Sequence, residues 1–299
     1  MDGKIKRKIR SSRSDRIFDI IIYALAIILI LIVVYPLWFV FIASFSNPSD
    51  IAGGQVFFWP REWILDGYQE LFKQSSIWTG YRNTLIYTAL GTAFGLFINV
   101  TAGFALSRKE LYGRKFLSVL YLIPMFISGG LIPTFLVVKQ FGLVDNFWVM
   151  VVPFALSSYN IIVARTFFNN SLPEGLWEAA QIDGCGTIRY FLQFALPLSK
   201  AVLAVIGLWT AVGIWNSWFN ALIYLNDETL QPLQLIMRRI LILNASLLGT
   251  AGKAAVEMKN KSDMMRYGSI VISTLPVMCL YPFLQKYFNQ GVMVGSIKE

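Results

Sequence analysis

The chain has 299 residues, 56% of them hydrophobic and 14% charged, where soluble domains carry about a quarter charged residues, so it reads as an integral membrane protein. With no histidine and only two cysteines, Cys185 and Cys279, it lacks the means for a histidine-based nucleophile triad, the usual zinc sites or a disulfide framework. The net charge of +9 does not indicate nucleic-acid binding, because seven basic residues (Lys4, Lys6, Arg7, Lys8, Arg10, Arg13, Arg16) precede the first apolar stretch, as expected of a cytoplasmic N-terminus.

That stretch, Ile17 to Ala43, is too long for a signal peptide and has no clear small-residue cleavage site. Five further segments are long enough to cross a core of about 30 Å: Tyr81 to Leu106, Phe116 to Val138, Phe147 to Phe167, Ala201 to Leu225 and Tyr267 to Phe288. The expected fold class is therefore all-α, a polytopic membrane protein of six transmembrane helices. A cytoplasmic basic tail, 1–16, precedes the membrane domain, 17–288, and a tail, 289–299, returns to the cytoplasm. The link Ser107 to Lys115, with Arg108, Lys109, Arg114 and Lys115, falls on the same side, as its charge requires. Ser44 to Gly80, Lys139 to Asn146 and Asn226 to about Arg266 fall outside.

Within the spans, Gly91, Gly95, Asn99 and Gly103 recur every four residues, a small-residue face that permits close helix approach. The third span contains Pro124, Gly129, Gly130 and Pro133, and the sixth contains Pro276 and Pro282, so kinked or broken helices are expected where protein or a cavity satisfies the freed backbone. For the third span, packing and a moving gate are both open. Late in the fifth span, Trp215, Asn216, Trp218, Phe219 and Asn220 interleave aromatic and amide groups. With Asn99 they could line a substrate path, stacking on and hydrogen-bonding to a sugar; an interfacial aromatic belt is the alternative. Leu230 to Leu248 repeats apolar residues at helical spacing but carries Arg238 and Arg239 at its middle. Each would cost about 2.5–3.5 kcal/mol to insert, so the segment is expected to lie on the outer surface or to cap the bundle.

Between the fourth and fifth spans lies a more polar island, the loop 168–200. Ser171 with Glu174 forms a capping-box pattern and Pro173 suits a first turn, predicting a helix from Pro173 to Ile182. Asp183-Gly184 ends it, Gly184 taking a left-handed C-cap conformation. A second segment starts at a possible Thr187 cap and stops at Pro197. Glu178, Ala179 and Ala180 are followed after three intervening residues by Gly184, and after nine more by Phe194, Ala195, Leu196 and Pro197. This spaced pattern resembles the cytoplasmic coupling loop, or EAA motif, of the membrane subunits of bacterial ABC importers.

Similar stretches run through most of the chain: FWPREWILDGYQELF from Phe58, SGGLIPTFLVVKQFGLVDNFWVMVVP from Ser128, LNDETLQPLQ from Leu225 and the tail GVMVGSIKE. They resemble carbohydrate ABC permeases of the MalG-like type, within their LplC/YtcP-like branch. The resemblance implies the type I importer permease fold and a multi-pass place in the bacterial cell membrane. It also implies a second, homologous permease, two ATPase subunits, an extracellular solute-binding protein and a carbohydrate cargo, an oligosaccharide or polysaccharide fragment. Glu178, Ala179, Ala180, Asp183, Gly184, Leu196 and Pro197 would couple to the ATPase, and Gly291, Gly295 and Lys298 of the tail could also reach it. The chain itself would be no enzyme and hold no cofactor or metal, since it has no Walker A sequence; ATP and Mg would sit on the partners. A permease for a non-sugar solute remains open. A secondary transporter is disfavoured by the near absence of ionisable residues inside the spans, and a structural subunit is the remaining alternative.

Overall fold

The computed structural model describes residues 12–246, 262–279 and 282, and among these the regular elements are all helical. The chain forms two compact units, Met1–Gln69 with Gly249–Val271, and Glu70–Leu248 with Ile272–Glu299.

In the first unit, α1 (Arg13–Ala43) runs for 31 residues, and Asp15 accepts a 2.8 Å bond from the Ser12 amide at its start. Beyond Asp19 it is apolar all round, and it buries only Ile42 and Ala43 near its end. Such a helix needs lipid or another chain around it. Asn47 caps the short α2 (Pro48–Ala52). An aromatic group of Trp38, Phe41, Phe45, Trp59 and Trp63 gathers at the end of α1. The Trp38 indole anchors it by donating to the Phe58 carbonyl at 3.0 Å. The next helix, α3 (Asp66–Lys73), ends in the second unit.

The second unit is built around α4 (Ser75–Ser107), 33 residues long. The small-residue face works as its spacing predicts. A Cβ on Gly91 would lie 2.6 Å from Ile214 Cδ1, one on Gly95 3.0 Å from Thr210 Cγ2, and one on Gly103 2.5 Å from Ala164 Cβ. Only glycine lets α7 (Ser158–Ser171) and α11 (Lys200–Trp215) approach so closely.

Of the predicted spans, α1 and α4 are single helices long and apolar enough to cross a membrane. The third is broken as its prolines and glycines suggest, into α5 (Arg114–Phe126) and α6 (Leu131–Gln140), with Gly130 at φ 85°. The fourth begins as a 3-10 turn, Phe147–Met150, and becomes helical again only at Ser158. Asn99, fully buried, explains how this irregular stretch is tolerated: its amide donates to Gly95 O (2.7 Å) and Ala155 O (2.8 Å), and its oxygen accepts from Ser157 N (2.8 Å). Buried backbone off the helical path must find such partners.

After α7 come α8 (Glu174–Ile182), α9 (Thr187–Tyr190), a π-turn over Phe191–Ala195 and α10 (Leu196–Leu198). The segment Thr187–Leu198 meets α11 at 82°. The fifth predicted span is interrupted at Asn216 and Ser217 before α12 (Trp218–Tyr224). The next long helix, α13 (Leu233–Ser246), buries Leu233, Leu235, Ile236, Met237 and Ile240. It packs on α4 and α12, the capping arrangement its amphipathic pattern predicts. Its arginines are accommodated by specific partners: Arg238 lies 3.7 Å over the Trp218 ring and Arg239 bonds Glu228 at 2.8 Å. A further helix covers residues 262–279. Apart from Pro282, the rest of the sixth predicted span and the tail residues Gly291, Gly295 and Lys298 lie outside the described residues.

Candidate functional site

The loop between α7 and α11 is a small folded body held against the end of α4. Trp177, on the inner face of α8, packs edge-on to Tyr190 with ring centroids 4.8 Å apart, and its indole donates to Glu110 Oε1 at 3.0 Å. Glu110 stays below the usual carboxylate range, first through a hydrogen bond from its own backbone, then against burial through the Trp177 indole and the nearby Arg108 and Lys109 cations. Lys109 Nζ reaches both oxygens of Glu174 at 2.6 and 2.9 Å, tying the first turn of α8 to the α4–α5 link. Phe104, Phe168, Tyr190 and Ala195 complete the core beneath.

Two local expectations are corrected here. Ser171 is the last residue of α7 and cannot also start α8, so the capping box is not formed and Glu174 turns to Lys109 instead. Thr187 is the first helical residue and Gly186 the cap. The second segment ends at Leu198, one residue past Pro197, and the chain turns there by 82° into α11, the stop and turn expected at that proline. The widened π-turn just before Pro197 removes the crowding that a proline ring imposes on the carbonyl four residues back. Gly184 has φ +71°, as its place after Asp183 predicts.

The motif residues divide by face. Ala180 is 7% exposed and belongs to the loop's own core, so its small size serves internal packing and it is no surface for a partner. Glu178, Ala179, Asp183 and Pro197 are exposed, and Leu196 is half-buried against the core. Beside them Ile182 and Ile188 stand 86% and 77% exposed, a pair of bare apolar side chains that the motif reading passed over. With Leu192 they give the loop an outward apolar face.

A cavity of about 440 Å³ opens between α7, α11 and α12, lined among others by Phe154, Tyr159, Asn160, Trp209, Thr210 and Asn220. Tyr159 and Trp209 meet at 5.4 Å between ring centroids, and Asn160 Nδ2 donates to Thr210 Oγ1 at 3.3 Å. Two aromatic faces beside amide and hydroxyl groups suit the CH-rich faces and hydroxyl edges of a sugar ring.

Of the six residues expected on a substrate path, Asn220 alone lines this cavity. Trp215 is 3% exposed and donates to the Ser273 carbonyl at 2.9 Å, a tie to the helix at 262–279. Asn216 caps α11 by donating to Val212 O at 2.9 Å. Trp218 carries Arg238, Phe219 is exposed, and Asn99 is spent on backbone. The break at Asn216 and Ser217 redirects the chain, so the interleaved residues do not share one face. The missed residues had a faint signal: Ser157 to Asn160 is a polar run inside an apolar span, and Trp209-Thr210 interrupts an aliphatic one.

Residues 110–294 match the family described as binding-protein-dependent transport system inner membrane component. The polygalacturonan/rhamnogalacturonan transport system permease protein YtcP of Bacillus subtilis (strain 168) is 36% identical over 284 residues, covering 95% of this chain and 99% of that protein. Protein LplC of the same organism is 38% identical over 267 residues, covering 89% and 90%. Among solved structures, a chain of a bacterial ABC transporter involved in import of the acidic polysaccharide alginate superposes with a TM-score of 0.84 at 32% identity, covering 94% of this chain and 99% of that one.

Proposed function

This chain belongs to the binding-protein-dependent transport system inner membrane component family, and from that premise we propose how it works as the membrane permease subunit of a carbohydrate ABC importer. Its place is the bacterial membrane, with both termini cytoplasmic. The relatives' names point to an oligosaccharide or polysaccharide fragment as cargo. The working assembly pairs it with a second permease, two ATPase subunits and an extracellular solute-binding protein, and the partners bind ATP and magnesium and carry out hydrolysis.

The observation that carries the reading is the build of the α8–α9 loop. A surface meant to transmit force must not deform, and this one is braced by the Trp177–Glu110 bond, the Lys109–Glu174 pair and the Trp177–Tyr190 packing. Its outward face, with Glu178, Ala179, Ile182 and Ile188, suits a cleft on an ATPase subunit. Movement of that cleft would pass through Tyr190 and Phe104 into α4 and α7. The Tyr159–Trp209 cavity is the stretch of the sugar path that this subunit supplies.

The test uses the assembled complex in liposomes with Ala179→Trp and Ile182→Glu. Both side chains are exposed, so folding and insertion should persist while ATPase subunits are lost or hydrolysis no longer drives uptake. Normal ATPase retention with normal coupled uptake in both variants would overturn the coupling role.

A further inference from the structure

At the junction of α4, α5 and α7, beside the coupling loop, lies a recess of about 860 Å³ that the transport reading does not use. Its rim is cationic. Lys109, Arg114 and Lys115 come from the α4–α5 link and the first turn of α5, and Arg165 reaches in from α7. Two guanidinium groups are fixed in place by neutral acceptors, Arg114 Nε donating to Leu106 O at 2.9 Å and Arg165 Nη1 to Ser118 Oγ at 3.1 Å. Those bonds orient the groups and leave their charge intact.

The acids of the neighbouring segments are engaged elsewhere. Glu174 neutralises Lys109, and Glu110 accepts from Trp177. Arg114, Lys115 and Arg165 therefore make no ion pair among the described residues. Three cations around one recess favour an occupant with concentrated negative charge.

The rest of the surface says what kind. The recess lining is mostly apolar, and it continues onto α5, which buries none of its residues. Phe116, Val119, Leu120 and Ile123 lie at i, i+3, i+4 and i+7, one exposed stripe leading away from the basic rim. Tyr112, 98% exposed, stands beside the rim with an aromatic ring and a hydroxyl, the residue type that favours a membrane interface. An occupant anionic at one end and apolar along its length matches both parts.

We propose that this recess is a specific site for an anionic phospholipid, its headgroup phosphate held among Arg114, Lys115 and Arg165 and an acyl chain lying along Phe116, Val119 and Leu120. Basic pockets at the ends of membrane helices hold such headgroups by charge and hydrogen bonding together. The site sits against the Lys109–Glu174 tie, so lipid bound there would abut the base of the coupling loop without being part of its outward face.

The experiment is native mass spectrometry of the purified permease with its partners, titrated with phosphatidylglycerol or with phosphatidylcholine of the same acyl chains. Phosphatidylglycerol should bind the wild-type complex at least about tenfold more tightly, since each cation near the headgroup is worth about fivefold. Lys115→Gln, which touches one exposed side chain, should lose about fivefold, and Lys115→Gln with Arg165→Gln about tenfold or more; the single variant suffices if the double one fails to assemble. Glycerol phosphate should not displace the lipid, and ATPase retention should stay normal. Equal binding of the two lipids, or an unchanged preference in the variants, would overturn the site. Displacement by glycerol phosphate would assign it to a soluble anion, and loss of the ATPase with lipid binding unchanged would assign it to a protein partner; either result also refutes the lipid site.

Discussion

The two asparagines Asn99 and Asn220 show how the same side chain serves different ends according to where its amide points. Asn99 is sealed between α4 and the irregular stretch before α7, with three bonds to backbone. Its replacement by leucine strands the Ala155 carbonyl and the Ser157 amide in an apolar interior, at about 1–3 kcal/mol for each orphaned group. Asn99→Leu should therefore lower the thermal midpoint of the purified complex and reduce its yield. Asn220 faces the Tyr159–Trp209 cavity. Asn220→Leu should leave the midpoint unchanged and weaken sugar uptake several-fold, the worth of a hydrogen bond of about 0.5–1.5 kcal/mol. Unfolding curves and a concentration series of uptake separate the two. An Asn99→Leu protein of normal stability with impaired uptake would return that residue to the substrate path.

The helices themselves are largely written in local pattern, and what the pattern omits is what depends on distant partners. The break at Ile127 to Gly130 follows from proline and glycine alone, and the stripe of Gly91, Gly95 and Gly103 announces a helix contact by spacing alone. Neither pattern reveals which helix is met. The inward turn of Ala180 depends on Tyr190 arriving from the second half of the loop, and the cavity depends on Tyr159 and Trp209, fifty residues apart, coming together across α7 and α11. The capping box of Ser171 and Glu174 failed because α7 extends one turn further than its apolar pattern suggests, while Lys109, far off in sequence, offered Glu174 a charge. The contact stripe can be tested by two glycine-to-alanine changes. A Cβ on Gly103 would press on Ala164 Cβ at 2.5 Å and Arg165 N at 3.0 Å, whereas one on Gly175, in α8, meets nothing within 4 Å. Gly103→Ala should destabilise the complex by about 1–3 kcal/mol through overpacking. Gly175→Ala should be neutral or stabilise by up to about 1 kcal/mol by favouring the helix. Equal midpoints for the two variants in thermal unfolding would mean that α4 and α7 do not meet through this face.

At the scale of the whole molecule, the membrane arrangement is carried by unequal pieces. Among the described residues two helices, α1 and α4, are each long enough to cross alone, and the chain's cationic link from Arg108 to Lys115 follows the second. The segment that must return is the weak one, since α5 and α6 have 13 and 10 residues on either side of a break. Laid end to end at 1.5 Å per residue they reach about 35 Å, enough to cross a core of about 30 Å only if the break does not fold them back. The positive charge at the start of α5 favours the cytoplasmic side for Tyr112, and a crossing then puts Phe141, just after α6, on the outside. With Cys185 and Cys279 first replaced by serine, Tyr112→Cys should react only with reagents admitted to the cytoplasm, and Phe141→Cys with an impermeant maleimide added to whole cells. Both side chains are exposed, so neither substitution disturbs packing. If both cysteines react from the same side, α5 and α6 form a re-entrant hairpin, the later helices reverse their direction, and the coupling loop can face the cytoplasm only if another segment makes the missing crossing.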